Sequence, residues 1–171
     1  MKKVYLAGPE VFKVDSIKIG KKLVKKCKKY NLKGLYPLDN IIEGTTKKEL
    51  SKNIFLANKK MIEKADYVIA NLNPFRSNTE PDSGTVWEVG YALGLGKKVY
   101  GYINNPNLQY IERIPSYEKF TFVGKMEGTV VDSDDMIIED FENPLNLMIT
   151  ESVIICDSFK ECLKRIKNES I

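Results

Sequence analysis

The sequence predicts a flavodoxin-like α/β fold, a doubly wound parallel sheet of five strands with helices on both faces. Three observations carry this reading. Short β-rich runs alternate with stretches of helical spacing along the chain. One run, "DYVIANL", is almost wholly apolar, as a strand buried on both faces must be. Helix-start and helix-stop residues stand at the expected junctions. Strands alternating with helices argue for a parallel sheet.

The elements follow in order. "KKVYLAG" reads as a strand ended by Gly8-Pro9, and "DSIKIGKKLVKKCKKY" as a helix with Leu23, Val24 and Cys27 on one stripe. "KGLYP" reads as the second strand. "TKKELSKNIFLANKKMIEKA" reads as a helix opened by Thr46, with Glu49 three residues on completing a capping box. "DYVIANL" is the third strand, and "GTVWEVGYALGLG" a helix closed by Gly94 and Gly96. "KKVYGYI" is the fourth strand. After a long irregular stretch come "ESVIIC", the fifth strand, and "DSFKECLKRIK", a helix with Asp157 as its N-cap. The 171 residues suit one domain, 1–171, with an irregular insertion at about 104–142. That insertion holds hairpin-like sequence in "YEKFTFVGK" and "EGTVV" and is expected to pack at an interface or cover a site.

Composition excludes several kinds of chemistry. The chain has no histidine, which removes serine–histidine and cysteine–histidine catalysis and histidine-ligated metal sites. Acid–base or nucleophilic work falls to carboxylates, Tyr, Lys or Cys. Cys27, Cys156 and Cys162 form no paired motif and read as free thiols. "GLGKKVYG" follows a helix instead of preceding one, so it is a helix end and not a dinucleotide loop. The lysines of "KKLVKKCKKY" lack arginine and interleaved aromatics and read as a solvated helix face, not a nucleic-acid footprint. No apolar run approaches the roughly 20 residues of a membrane span, and "MKKVYLAGPEVF" is too short and too soon broken for a signal peptide. A cytoplasmic protein is expected.

In doubly wound sheets, ligands bind beyond the C-terminal ends of the strands. The loops there are "AGPEVF", with Gly8 and Phe12; "PLDN", with Asp39 and Asn40; and "NLNPFRSNTEPDSGT", with Asn73, Arg76, Asp82 and Gly84. Glu88 stands in the first turns of the following helix, between Trp87 and Val89, with Asp82 in the loop before it. Two readings are open for this pair. Asp82 is an N-cap and Glu88 a solvent-facing residue favoured by the helix dipole, or both carboxylates face a site. Tyr5 and Asn58 fall where other strand ends and helices would converge on it.

Taken together, "VYLAGPEVF", "YPLDN", "ADYVIANLNPFR", "EPDSGTVWEVGYALG" and "NPLNLM" resemble the nucleoside 2-deoxyribosyltransferases over residues 4 to 148. The run D-x-G-T-x-x-E-x-G carries most of the specificity. "AGPEVF" and "ANLNPFR" are most similar to the branch that prefers purines. The resemblance implies Glu88 as nucleophile, Asp82 as its supporting carboxylate and Tyr5 as the active-site tyrosine. It implies Asn146 as an amide supplied by a neighbouring subunit of a homo-oligomer; read on its own, Asn146 is equally the cap of its own short helix. Asn58 stands where some members carry an aspartate, and an amide cannot hand a proton to a base. The C-terminal "KNESI" gives no match to the carboxylate that some members place in the site.

The implied activity is retaining transfer of 2-deoxyribose between purine bases through a deoxyribosyl–glutamate ester, with no metal or organic cofactor. Its partners are purine deoxynucleosides and free nucleobases, and neither a nucleic-acid polymer nor a membrane. Trp87 and Val89 would wall Glu88, Asp39, Asn40 and Asn58 would contact base or sugar, and Phe12 and Trp87 would flank the base. Hydrolysis of deoxynucleosides or their 5′-monophosphates, with Arg76 and Ser77 as phosphate clamp, is the rival reading; otherwise Arg76 braces its loop. A nucleoside-binding module without turnover is the third.

Overall fold

In the computed structural model, residues 1–39, 42–116, 119–121 and 127–169 are described. The elements run β1 (Lys2–Ala7), α1 (Ser16–Lys28), β2 (Leu32–Leu35), α2 (Lys47–Lys64), β3 (Tyr67–Asn71), α3 (Ser83–Gly94) and β4 (Lys98–Tyr102). Then come α4 (Tyr110–Arg113), β5 (Phe120–Thr121), β6 (Val130–Val131), α5 (Leu147–Thr150), β7 (Ile154–Cys156) and α6 (Phe159–Glu169). The main sheet has the order β2-β1-β3-β4-β7, with every pairing parallel. This is the flavodoxin-like doubly wound arrangement expected from the sequence. The order reverses between β1 and β3, so the switch-point crevice opens beyond Ala7 and Asn71.

The period-two alternation of the strands sorts the core into two layers. From β1, Tyr5 and Ala7 face one layer with Met61 and Ile62 of α2 and Val89 and Ala92 of α3. Val4 and Leu6 face the other, with Cys27 of α1 and Cys162, Leu163 and Ile166 of α6. Tyr5 is therefore placed on the α2–α3 side by strand geometry alone. The three cysteines are free and buried. Among the described residues, no helix is long and apolar enough to cross a membrane.

Three end signals differ in detail from the sequence reading. Thr46 caps α2 by accepting from the Glu49 N–H at 3.1 Å, but Glu49 reaches back to the backbone and hydroxyl of Thr45, one residue earlier than a capping box requires. Helix α3 ends on Gly96 in the left-handed region (φ 70°). Its N–H bonds to Leu93 and that of Lys97 to Ala92, a Schellman closure in which Gly94 is the last helical residue. At α6 the cap is Ser158, whose hydroxyl accepts from the Glu161 N–H at 3.2 Å; Asp157 lies one residue too early.

In the 104–142 stretch, β5 and β6 pair antiparallel, as the hairpin reading expects, although residues 117–118 and 122–126 of that reading lie outside the described residues. Arg113 ties the stretch down by donating to the carbonyls of Asn104, Asn105 and Pro144.

Gly101, in the inner strand β4, leaves room for neighbours from two directions. A β-carbon there would lie 2.3 Å from Leu72 Cδ1 and 2.9 Å from Val153 Cγ1. Both neighbours are buried, so Gly101→Ala overpacks the layer at a cost of about 1–3 kcal/mol. For a chain of this size the melting temperature should fall by roughly 3–10 °C. Calorimetry showing no change would mean that this layer is looser than its contacts imply.

Candidate active site

A cavity of about 460 Å³ opens at the switch point, between the turn after β1, the turn after β2, and helices α2 and α3. Its size lies in the range of small-molecule sites. Helix α2 presents Leu50, Ile54 and Asn58 to it, each four residues from the last and so on one helical face. The Gly8–Phe12 turn and Pro37 and Leu38 supply the remaining apolar wall. Asp82, Gly84, Thr85 and Glu88 close the other side.

Both open readings of the carboxylate pair are met in part. Asp82 is a helix N-cap: one carboxylate oxygen accepts from the Thr85 N–H and hydroxyl, each at 2.8 Å. It is also buried and lines the cavity. Glu88 does not face solvent. It sits one turn after Gly84 and Thr85, on their side of α3, and points into the cavity. The Tyr5 hydroxyl rises from β1 and donates to Glu88 Oε1 at 2.5 Å.

Burial pushes the Glu88 carboxyl up to about 7; the Tyr5 hydrogen bond opposes that rise and the Asp82 charge adds to it. Burial also drives the Tyr5 phenol far up, with help from the neighbouring Glu88 charge, so Tyr5 remains the donor across the physiological range. The pair is thus a poorly solvated carboxylate gripped at one oxygen, with the other oxygen open to a ligand.

The remaining expected residues divide by position. Gly8, Phe12, Asn58 and Gly84 line the cavity. Asn58 Oδ1 is buried with no hydrogen-bond partner among the described residues, leaving an amide atom available to a bound molecule. Asp39 instead accepts from the Tyr36 N–H at 3.1 Å and holds its own turn. Asn73 bonds to Asn71 and accepts from the Asn104 N–H, and is not among the residues that line the cavity. Arg76 does not line it either: its guanidinium lies 5.3 Å over Phe12 and 4.7 Å over Phe75, two rings that stack at 5.1 Å. Asn146 caps α5 through Met148 and donates to Glu139 at 2.6 Å. Asn40 lies outside the described residues.

Trp87 and Val89 do not wall Glu88 as the sequence suggests. A helix turns about 100° per residue, so the neighbours of an inward residue point to either side of it. Val89 enters the core, and Trp87 stacks on Tyr91 and meets Phe55 edge-on at the surface, away from the cavity. The wall around Glu88 comes from α2 and the β1 and β2 turns. The i, i+4 spacing of Leu50, Ile54 and Asn58 was the available signal for it. Among the described residues, no cluster of His, Cys, Asp or Glu is suited to a metal ion.

The raised Glu88 value has a consequence for stability. An exposed glutamate in the unfolded chain titrates near its ordinary 4.5, and the folded one at about 7. Between those values the folded state holds a proton that the unfolded chain has lost, so stability falls as pH rises through that window and stays lower above it. Glu88→Gln removes the titration. The variant should gain melting temperature over wild type at pH 8.5 and show little difference at pH 4.5. An equal difference at both pH values would show that Glu88 is not desolvated.

Comparison with known proteins agrees with this geometry. The family model described as nucleoside 2-deoxyribosyltransferase matches residues 4–148. The uncharacterized protein C191.05c of Schizosaccharomyces pombe is 31% identical over 164 residues, covering 88% of this chain and 76% of that protein. The 2-desoxiribosyltransferase from Leishmania mexicana superposes with a TM-score of 0.78 at 30% identity, with each chain covered in full. A conserved Enterococcus faecalis protein shares the fold at 21% identity and a TM-score of 0.62, covering 99% of each chain. A match spanning the three strand-end loops, the Asp82–Glu88 run and Asn146 places this chain in the nucleoside 2-deoxyribosyltransferase family.

Proposed function

We propose that the protein transfers 2-deoxyribose between purine bases, with Glu88 as the nucleophile. The observation that carries this reading is the Tyr5–Glu88 pair: a desolvated carboxylate, held at one oxygen and open at the other, in a cavity of nucleoside size. Retaining glycosyl transfer asks for a carboxylate of this kind beside the anomeric carbon.

In the first half-reaction, the free Glu88 oxygen bonds to C1′ while the C1′–N9 bond breaks. Its electron pair leaves with the purine, which takes up a proton. In the second, N9 of an incoming base attacks C1′, the ester bond returns its pair to Glu88, and the base loses its N9 proton. The transition states carry oxocarbenium character, so the Glu88 and Asp82 charges stabilise them. Deoxyribose lacks the electron-withdrawing 2′-hydroxyl, which makes that cation easier to reach. The apolar wall keeps water from competing for the ester.

The orphaned Asn58 amide supports a base with polar edges at the α2 end of the cavity. Phe12, kept in place by Phe75 and Arg76, offers a flat ring to a purine. Because Arg76 is engaged with those rings, an unphosphorylated nucleoside is favoured over a monophosphate. A purely binding protein gains nothing from desolvating a carboxylate, which argues for turnover.

A shared active site in a cytoplasmic homo-oligomer, with Asn146 reaching a neighbouring chain's Glu88, is part of this proposal. The exposed Met148 beside Asn146 and the exposed Phe55–Trp87 pair supply apolar surface for such contacts.

Glu88→Ala should lose roughly three orders of magnitude in rate, the scale for a group acting in the transition state, while remaining folded. A 2′-fluorinated arabinosyl purine nucleoside should label the Glu88 peptide in wild type. Label on another residue, or a variant retaining a tenth of wild-type turnover, would refute the assignment.

With deoxyinosine as donor, added adenine should yield deoxyadenosine faster than free deoxyribose. Deoxyinosine should outperform thymidine by at least about ten-fold, or about 1.4 kcal/mol of discrimination. Sugar release at one rate with or without adenine would favour hydrolysis.

Refolding Glu88→Ala together with Asn146→Ala should recover about a quarter of wild-type activity in a two-fold assembly. No recovery, with mixed oligomers present, would rule out a shared site.

A further inference from the structure

Tyr5 and Glu88 occupy the α2–α3 side of the sheet. A second polar group lies at the same strand ends on the opposite side. Asn71 at the end of β3 and Tyr102 at the end of β4 are register partners, so their side chains emerge side by side on the α1–α6 face. Tyr102 packs edge-on against Phe159 of α6. Glu10, in the turn after β1, folds its carboxylate back onto both. Asn71 Nδ2 donates to Glu10 Oε1 at 2.6 Å, and the Tyr102 hydroxyl donates to the same oxygen at 2.8 Å.

The connections continue. Asn71 Oδ1 accepts from the Asn73 N–H at 3.1 Å and from Asn73 Nδ2 at 2.7 Å. Asn73 Oδ1 accepts from the Asn104 N–H at 2.9 Å. Asn104 follows Tyr102 by two residues, so the hydrogen bonds form a closed circuit through the ends of β1, β3 and β4. Gly8 fits tightly inside it: a β-carbon there would lie 2.2 Å from Glu10 Oε2 and 2.9 Å from Asn71 Cβ. Gly8, Val11 and Phe12 belong to the same turn and line the cavity on their other side.

We propose that Glu10 is a positioning residue for base binding, its carboxylate tying the Gly8–Phe12 turn to β3 and β4 and so fixing the wall that holds the base. The proposal rests on the nucleoside reading of the cavity. Glu88 and Asp82 mark the sugar end, and the aromatic wall at Phe12 belongs to the base end. Both donors to Glu10 make charge-assisted hydrogen bonds, stronger than neutral ones. Removing the carboxylate leaves two part-buried donors unmet and frees the turn.

The test uses Glu10→Ala and Glu10→Gln in steady-state transfer from deoxyinosine to adenine, with amide hydrogen exchange on the ligand-free proteins. Glu10→Ala should raise KM for adenine about ten-fold while kcat stays within about three-fold, the pattern of lost binding without loss of a transition-state contact. Glu10→Gln should recover most of KM, because its carbonyl oxygen has two lone pairs for the two donors. Exchange should quicken at residues 10–13 and 75–77 in Glu10→Ala, not in Glu10→Gln, and stay unchanged in α3.

A wild-type KM in Glu10→Ala, a fall in kcat with KM unmoved, or Glu10→Gln as impaired as Glu10→Ala would overturn the proposal. If wild type neither releases nor transfers a base, the nucleoside reading fails. The exchange pattern then still judges the brace: unaltered exchange at residues 10–13 would overturn it.

Discussion

The hydrogen bond from Tyr5 to Glu88 joins an inner strand of the sheet to the helix that leaves the switch point. It forms only because several separate constraints agree. Period-two alternation sends Tyr5 to the α2–α3 layer. The parallel register of β1 with β3 sets the origin of the loop that leads to α3. The Asp82 cap fixes where α3 begins, and therefore which residues share a face with Gly84 and Thr85. A shift of one residue in any of these would turn Glu88 away from Tyr5. The interaction thus reports on the whole architecture, although it adds little to its stability: a carboxyl held near a pKa of about 7 has been placed where the fold would be better off without its charge.

That placement makes chemical sense in a group-transfer site. A fully solvated glutamate is a weak nucleophile, and a fully buried one without a partner would stay protonated. The Tyr5 donor works against the burial effect, and the Asp82 charge works with it. Near neutral pH the carboxyl therefore stands close to the balance between its two forms. The chain belongs to the nucleoside 2-deoxyribosyltransferase family, and the apolar wall from α2 and the β1 and β2 turns would supply the dry surroundings the proposed chemistry needs. On the other side of the sheet, the Glu10 circuit ties the strand ends together, so the Tyr5–Glu88 pair and the Gly8–Phe12 turn are held from opposite faces.

Much of this was legible in the sequence, for physical reasons that can be named. Element order and the parallel sheet followed from alternating periodicities and from the all-apolar β3. Thr46 was readable as a cap because capping chemistry is local. Local signals gave way where two adjacent residues compete: Ser158 caps α6 in place of Asp157, and Glu49 reaches Thr45 instead of Thr46. Side-chain direction was the other weak point. Adjacency in sequence suggested that Trp87 would wall Glu88, whereas helical rotation sends it to Tyr91 and Phe55. Glu10 was invisible because its partners, Asn71 and Tyr102, are 61 and 92 residues away and meet it only through the strand register.

Whether Glu88 is a desolvated carboxyl restrained by Tyr5 is read most directly from its own titration. Carbon-13 NMR of side-chain-labelled glutamate, with Glu88→Gln used to assign the resonance, would follow that one carboxyl in wild type and in Tyr5→Phe. The structure predicts a midpoint at about 7 in wild type and a higher one in Tyr5→Phe, where the hydrogen bond that favours the charged form is gone. A wild-type midpoint near the ordinary 4.5, or one that Tyr5→Phe leaves in place or lowers, would show that Glu88 is solvated or not held by Tyr5.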